Sequence, residues 1–179
     1  KKDGILTAAI VGYTNVGKST LLNALTDAGV LAENKLFATL DTTSRMLELP
    51  DGRSVMLVDT VGLIRRLPHQ LIEAFKSTLE EAASADIIIN VIDISTDDGF
   101  KQAEVADSLL NELGCESIPR IKVYNKADLA PDPQNIPHDS KTAVISAREH
   151  HGFTELLQCI ARNLPETSVR KKFLIPYDK

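Results

Sequence analysis

One eight-residue segment limits the architecture of this chain more than any other. Gly12-Tyr13-Thr14-Asn15-Val16-Gly17-Lys18-Ser19 has the spacing G-x-x-x-x-G-K-[ST]. A short apolar run, Leu6 to Val11, precedes it and reads as a buried strand. Leu21, Leu22, Leu25 and Ala28 follow at helical spacing. A loop between strand and helix is the setting in which such a segment wraps an anion. Its glycines allow a tight turn, consecutive backbone N–H groups face inward, and the helix N-terminus adds a favourable dipole. The implied ligand is a nucleoside triphosphate, with Lys18 bridging the β- and γ-phosphates and the Ser19 hydroxyl ligating Mg²⁺. Thr20 belongs to the same candidate set.

The rest of the chain alternates between the two periods. Met46, Leu47 and Leu49 precede Pro50-Asp51-Gly52, and Val55 to Val58 follow, which is a hairpin signal. Leu71, Ile72, Phe75, Leu79, Ala82 and Ala83 form a helical stripe. Ile87 to Ile92 reads as a strand; Val105, Leu109, Leu110 and Leu113 mark a helix closed by Gly114. Ile121 to Tyr124 and Val144-Ile145 are strands, separated by a loop with Pro131, Pro133 and Pro137; Phe153, Leu156, Leu157, Ile160 and Leu164 make a final helix. The pattern predicts an α/β fold of the phosphate-loop NTPase type (a Ras-like G domain): a mostly parallel six-stranded sheet with one antiparallel strand and helices on both faces. Residues 1–166 are assigned to this nucleotide-binding domain and 167–179 to a tail or the start of a C-terminal domain. The opening at Lys1 suggests a domain taken from a longer chain.

Three later segments narrow the chemistry. Asp59-Thr60-Val61-Gly62 closes a strand; its carboxylate can hold Mg²⁺ through a water and the Gly62 N–H can reach the γ-phosphate. Asn125-Lys126-Ala127-Asp128 follows another strand, and the Asp128 carboxylate can accept two hydrogen bonds from guanine N–H groups. Adenine presents the wrong pattern and would leave that carboxylate unpaired, a basis for strong rejection. The Lys126 stem can cover the ring face, and Asn125 can tie this loop to the phosphate loop. Ser146-Ala147-Arg148 is then the loop whose backbone N–H contacts the guanine oxygen. Order and spacing together imply GTP, where each short segment alone would read as a turn. Residues 29–44 lack periodicity and hold Thr39, Thr42, Thr43 and Ser44, a loop long enough to be functional. Periodicity does not choose among its threonines.

Where many such sites place a water-orienting glutamine after Asp-x-x-Gly, this chain has Leu63, which cannot polarise water. Asn15 is the candidate to compensate, by holding a monovalent cation, K⁺, against the β/γ-phosphates. A slow GTPase, or a nucleotide-gated binding module that barely hydrolyses, is expected. An ATP-dependent kinase is opposed by Asp128.

Bulk properties exclude other classes. With 43% apolar and 25% charged residues and a net charge of −5, the chain is ordinary for a globular domain and does not advertise nucleic-acid binding. No run approaches the ~20 apolar residues of a membrane-spanning helix. Cys115 and Cys159 lack ligand spacing and read as reduced, partly buried thiols. His150-His151 reads as a solvated pair, and His69 lies too far beyond Gly62 to be assumed a base. Arg65-Arg66 is open between a solvated face and a partner contact, and Arg170-Lys171-Lys172 reads as a solvated edge.

Gly12 to Ser19, Leu36-Phe37-Ala38-Thr39-Leu40-Asp41, Asp59-Thr60-Val61-Gly62-Leu63-Ile64 and the stretch Leu67 to Glu81 together resemble the HflX GTPases over nearly the whole chain. The resemblance implies a translation-associated GTPase that binds the large ribosomal subunit and acts on stalled or stressed ribosomes. It implies a cytoplasmic, monomeric protein, with peripheral membrane association left open. It also implies Thr39 as the threonine that closes on Mg²⁺ and the γ-phosphate, within a nucleotide-contacting stretch from Phe37 to Asp41. The family carries an apolar residue at the Leu63 place and an Asn at the Asn15 place. Residues 67–81 argue against a membrane-transport GTPase. Two departures stand out: Asp41-Thr42-Thr43 replaces the usual Asp-Pro-Thr, freeing a backbone torsion. The N-terminal domain and helical linker of HflX proteins are also not in this chain.

Overall fold

The computed structural model describes residues 5–13, 16–27, 44–59 and 82–166. Among these the sheet has six strands: β1 (Leu6–Gly12), β2 (Ser44–Glu48), β3 (Ser54–Asp59), β4 (Ile87–Asp93), β5 (Arg120–Asn125) and β6 (Thr142–Val144), in the order β2-β3-β1-β4-β5-β6. All neighbours pair in parallel except β2 with β3. Pro50-Asp51-Gly52 makes the hairpin expected of it, with Gly52 at φ 86° and its N–H donating to the Leu49 carbonyl at 3.0 Å. Among the described residues the longer helices are α1 (Lys18–Asp27), α2 (Gly99–Glu112) and α3 (Phe153–Asn163). Ala82 and Ala83 are also helical; the rest of the stripe from Leu71 lies outside the described residues.

Alternation along the central strands sends side chains to both faces. Ala8, Ile10, Ile87, Ile89, Val91, Ile121 and Val123 meet α1 and α3 through Leu21, Leu25, Phe153, Leu156 and Ile160. The opposite residues, Val11 and Ile88, meet α2 at Leu110 and the segment after it at Cys115. Both faces are therefore apolar, which is why β4 reads as an apolar run from Ile87 to Ile92 interrupted only by the buried Asn90. Ile87, Ile88, Ile89, Leu110, Ile121 and Ile145 are each below 2% exposed. Fully burying an aliphatic side chain of this kind contributes about 1.5–3 kcal/mol.

Gly114 ends α2 as expected. At φ 80° it donates to the Asn111 carbonyl (3.0 Å), while the Cys115 N–H reaches the Leu110 carbonyl (3.0 Å). This pair of bonds satisfies the last carbonyls of the helix in a Schellman arrangement. The buried face of α2 differs from the expected stripe. Val105 is 53% exposed, and Gly99, Ala103, Ala106 and Leu110 face inward. The close approach of α2 to β4 requires small residues: a Cβ on Gly99 would strike the Asp93 carbonyl oxygen. Strand limits shift by a residue or two, as β6 covers Thr142–Val144 where Val144-Ile145 carried the apolar signal. Cys115 and Cys159 are both buried free thiols.

Candidate nucleotide-binding site

The chain leaves β1 for β3 on one side and then crosses to β4 on the other, so the strand order reverses at β1. Ligands in such sheets bind beyond the carboxyl ends of the strands at this reversal. The register brings the motif residues there: Ile10 pairs with Asp59, Gly12 with Val91, and Asp93 with Asn125.

The phosphate-loop backbone is shaped by what surrounds it. A Cβ at Gly12 would lie 2.7 Å from the Val91 carbonyl oxygen and 2.9 Å from Val16 Cγ2. Gly17 sits at φ 98°, and a Cβ there would land on Asn125 Nδ2. Its carbonyl accepts the first α1 bond, from Leu21 N–H at 2.8 Å. Tyr13 and Val16 are buried, Gly17 and Lys18 half-buried, and Ser19 and Thr20 exposed at the start of α1. Thr14 and Asn15 lie outside the described residues, as do Phe37, Ala38, Thr39, Leu40, Asp41, Thr60, Val61, Gly62 and Leu63.

Lys18 and Asp59 face one another electrostatically. Burial pushes the Asp59 carboxyl above the usual carboxylate range, and Lys18 draws it partly back. Burial likewise lowers the Lys18 ammonium, and Asp59 opposes the shift. Asp59 Oδ1 is a buried oxygen with no hydrogen-bond partner among the described residues. An orphaned carboxylate oxygen beside Lys18, with the Ser19 hydroxyl next in sequence at the helix start, supplies hard-oxygen donors of the kind that fit Mg²⁺ and its waters. Among the described residues no group of three His, Cys, Asp or Glu could hold a metal ion.

Asn125 is the hub on the other side. It is 2% exposed. Its Nδ2 donates to the Val16 carbonyl (2.9 Å), and its Oδ1 accepts from the Ala147 N–H (3.0 Å). One amide thus joins the phosphate loop to the Ser146-Ala147 loop. Lys126 adopts the left-handed conformation, φ 65° and ψ 37°, which turns the chain sharply into the Ala127–Leu129 turn. Asp128 is exposed at the rim, and its Oδ1 accepts from the Ser146 hydroxyl at 2.7 Å. That hydroxyl also accepts from the Glu149 N–H at 3.1 Å, while Ser146 and His151 exchange backbone bonds at 3.0 Å. Arg148 is exposed beside them. The described residues of the phosphate, magnesium and base motifs therefore converge on one edge of the sheet, although Asn125 and Ser146 are separated by 20 residues of turns and β6.

Asp93 and Ser95 belong to this edge and to none of the motifs read in the sequence. Asp93 Oδ2 accepts from Lys126 Nζ at 2.7 Å; Asp93 Oδ1 accepts from the Ser95 N–H (2.9 Å) and hydroxyl (2.6 Å). Burial raises the Asp93 carboxyl, but the Lys126 and Ser95 bonds outweigh it and hold the group below its ordinary value. A carboxylate at the end of β4 has no fixed spacing to Lys126; register alone brings them together.

Among the described residues no helix is long and apolar enough to cross a membrane. The family described as 50S ribosome-binding GTPase matches residues 7–126. A GTPase HflX of Caldanaerobacter subterraneus subsp. tengcongensis is 51% identical over 180 residues, covering 100% of this chain and 41% of the relative. The chain thus spans about two fifths of that relative's length. Among solved structures, a GTP-binding protein from Sulfolobus solfataricus in complex with GDP aligns with TM-score 0.67 and 28% identity over 88% of this chain and 51% of that one. Era, in complex with MgGDPNP and nucleotides 1506–1542 of 16S ribosomal RNA, aligns with TM-score 0.66 and 28% identity, covering 91% of this chain and 58% of Era. On the strength of the strand-end motifs, the fold and these likenesses, the chain belongs to the 50S ribosome-binding GTPase family and, within it, to the HflX GTPases.

Proposed function

We propose that this chain is a Mg²⁺-dependent GTP-binding switch that hydrolyses GTP slowly. In the protein to which it belongs, the switch controls binding to the large ribosomal subunit. The observation that supports the guanine reading best is the Asn125 bridge, because it holds the phosphate loop and the base-reading segments as one unit. Asp128, fixed by the Ser146 hydroxyl through one oxygen, retains lone pairs enough to accept two guanine N–H bonds. The Ser146 and Ala147 N–H groups already donate within the protein, so we assign the guanine-oxygen contact to the Arg148 N–H.

In this reading the backbone of Gly12 to Thr20 and the Lys18 ammonium hold the phosphates. Ser19, Asp59 and Thr39 hold Mg²⁺, which when bound supplies neutralisation of phosphate charge. The Gly62 N–H meets the γ-phosphate, so residues 29–44 and 59–72 order with GTP and relax after hydrolysis. Leu63 offers nothing to the attacking water, and Asn15 supports K⁺ beside the β/γ-phosphates as its replacement. The family description supports the 50S subunit as partner, and the reading takes with that partner a cytoplasmic location. Since the chain covers 41% of that relative, ribosome engagement is assigned to the longer protein.

The test of the guanine reading is Asp128→Asn. It is expected to weaken GDP at least about tenfold and to favour xanthosine diphosphate, because one acceptor becomes a donor. Unchanged GDP affinity in an isothermal titration would refute the assignment.

A further inference from the structure

From the geometry around the end of β4 we infer that Asp93 is a positioning residue for nucleotide binding. It clamps Lys126 so that the lysine stem is already set as a wall for the guanine ring. This inference rests on the proposed guanine site and adds to it a residue outside every nucleotide motif.

Lysine is a poor wall unless something holds its tip. Its four-carbon stem is among the most rotamer-rich of side chains. Freezing it when nucleotide arrives would subtract its lost freedom from the affinity. Here the tip is held by the protein itself. The Lys126 side chain is 31% exposed and that of Asp93 12%, with 2.7 Å between Nζ and Oδ2. Asp93 is in turn fixed at its other oxygen by the Ser95 N–H and hydroxyl. Its backbone is fixed by the ladder opposite Asn125, by Ile94 N–H donating to the Asn125 carbonyl (3.1 Å), and by α2 closing on the Asp93 carbonyl at Gly99. The other end of the stem is fixed by the left-handed backbone at Lys126 itself. Both ends of the lysine are thus determined by strand register and a tight turn, and in the proposed site its methylene groups between those ends form the wall for the base. A carboxylate serves here better than a carbonyl, because a charge-assisted bond to an ammonium is shorter and stronger.

The clamp acts through Lys126, and this separates it from a merely structural role. GDP dissociation constants are measured by competition with a fluorescent GDP for wild type, Asp93→Ala, Asp93→Asn, Lys126→Ala and the Asp93→Ala/Lys126→Ala pair. Thermal unfolding of each is measured beside them. Asp93→Ala is expected to weaken GDP about three- to tenfold, and Asp93→Asn by no more than that, since its one amide oxygen can accept from Nζ or from Ser95 but not from both. The double variant is expected to match Lys126→Ala within about twofold, because losses through a shared contact do not add. Multiplicative losses in the double variant would overturn the clamp and leave Asp93 as a loop anchor. The same holds if Asp93→Ala binds GDP like wild type while Lys126→Ala is impaired. If Lys126→Ala itself binds GDP normally, the guanine-site reading beneath the inference fails instead. Should Asp93→Ala unfold too readily to titrate, Ser95→Ala provides the second test. It removes one of the bonds that fix Asp93, and an effect on GDP affinity that vanishes in the Lys126→Ala background supports the clamp, while one that persists refutes it.

Discussion

Replacing Asn125 by alanine is the sharpest test of how this site is held together. The side chain is 2% exposed and makes two bonds, to the Val16 carbonyl at 2.9 Å and from the Ala147 N–H at 3.0 Å. Alanine leaves both backbone groups behind without the amide. A buried polar group left unpaired costs about 1–3 kcal/mol, so two give about 2–6 kcal/mol. Gly17 beside the amide is half-buried, so water can relieve part of this, and about 3 kcal/mol is the expected loss. For a chain of this size each kcal/mol lowers Tm by about 2–4 °C, giving a fall of about 6–12 °C in metal- and nucleotide-free buffer followed by circular dichroism. Both bonds join protein to protein, so losing them also means that binding must organise the two loops. The GDP Kd should therefore rise by at least about tenfold, as expected when preorganisation is lost. Asn125→Asp is the internal control: it keeps an acceptor for the Ala147 N–H but turns a second oxygen toward the Val16 carbonyl, so it should be no more stable than alanine. A Tm within about 2 °C of wild type and a Kd within twofold for Asn125→Ala would refute the hub. A lowered Tm with unchanged affinity would show that the bridge serves the fold and not the site.

Two more expectations follow from the same edge. Asp59 has its carboxyl raised by burial against the partial opposition of Lys18, so between the ordinary value of 3.8 and the raised one the folded chain holds a proton that the unfolded chain has released. Stability must fall as pH rises through that window. Asp59→Asn does not titrate, so its stability relative to wild type should grow from pH 4 upward in chelator-containing buffer; parallel denaturant-midpoint curves for the two proteins would contradict the burial argument. Turnover of GTP should be faster in K⁺ than in Na⁺ at equal ionic strength, and Asn15→Ala should remove the difference; equal rates for wild type would eliminate the cation as the substitute for the missing glutamine.

The sequence alone determined the chemistry class. Gly12, Gly17, Lys18 and Ser19 announce a phosphate loop because backbone geometry demands those residue types at that spacing, and Asn125 and Asp128 announce guanine through hydrogen-bond pattern. The strands were legible where burial on both faces made them largely apolar, as in Ile87 to Ile92 despite Asn90, and Gly114 was legible as a helix stop because its left-handed backbone suits glycine. Val105 marks the helix yet stands exposed on it, because a periodic pattern cannot tell that α2 meets β4 at Gly99 so closely that alanines do the packing. The tie from Asn125 to the phosphate loop was legible in the sequence; the tertiary structure alone decided that the same amide also holds Ala147, that the Ser146 hydroxyl fixes Asp128, and that Asp93 meets Lys126 across 33 positions of sequence. These contacts are set by the register of parallel strands and by a crossover at β1, and strand register lies in the summed packing of the sheet, not in any local string of residues.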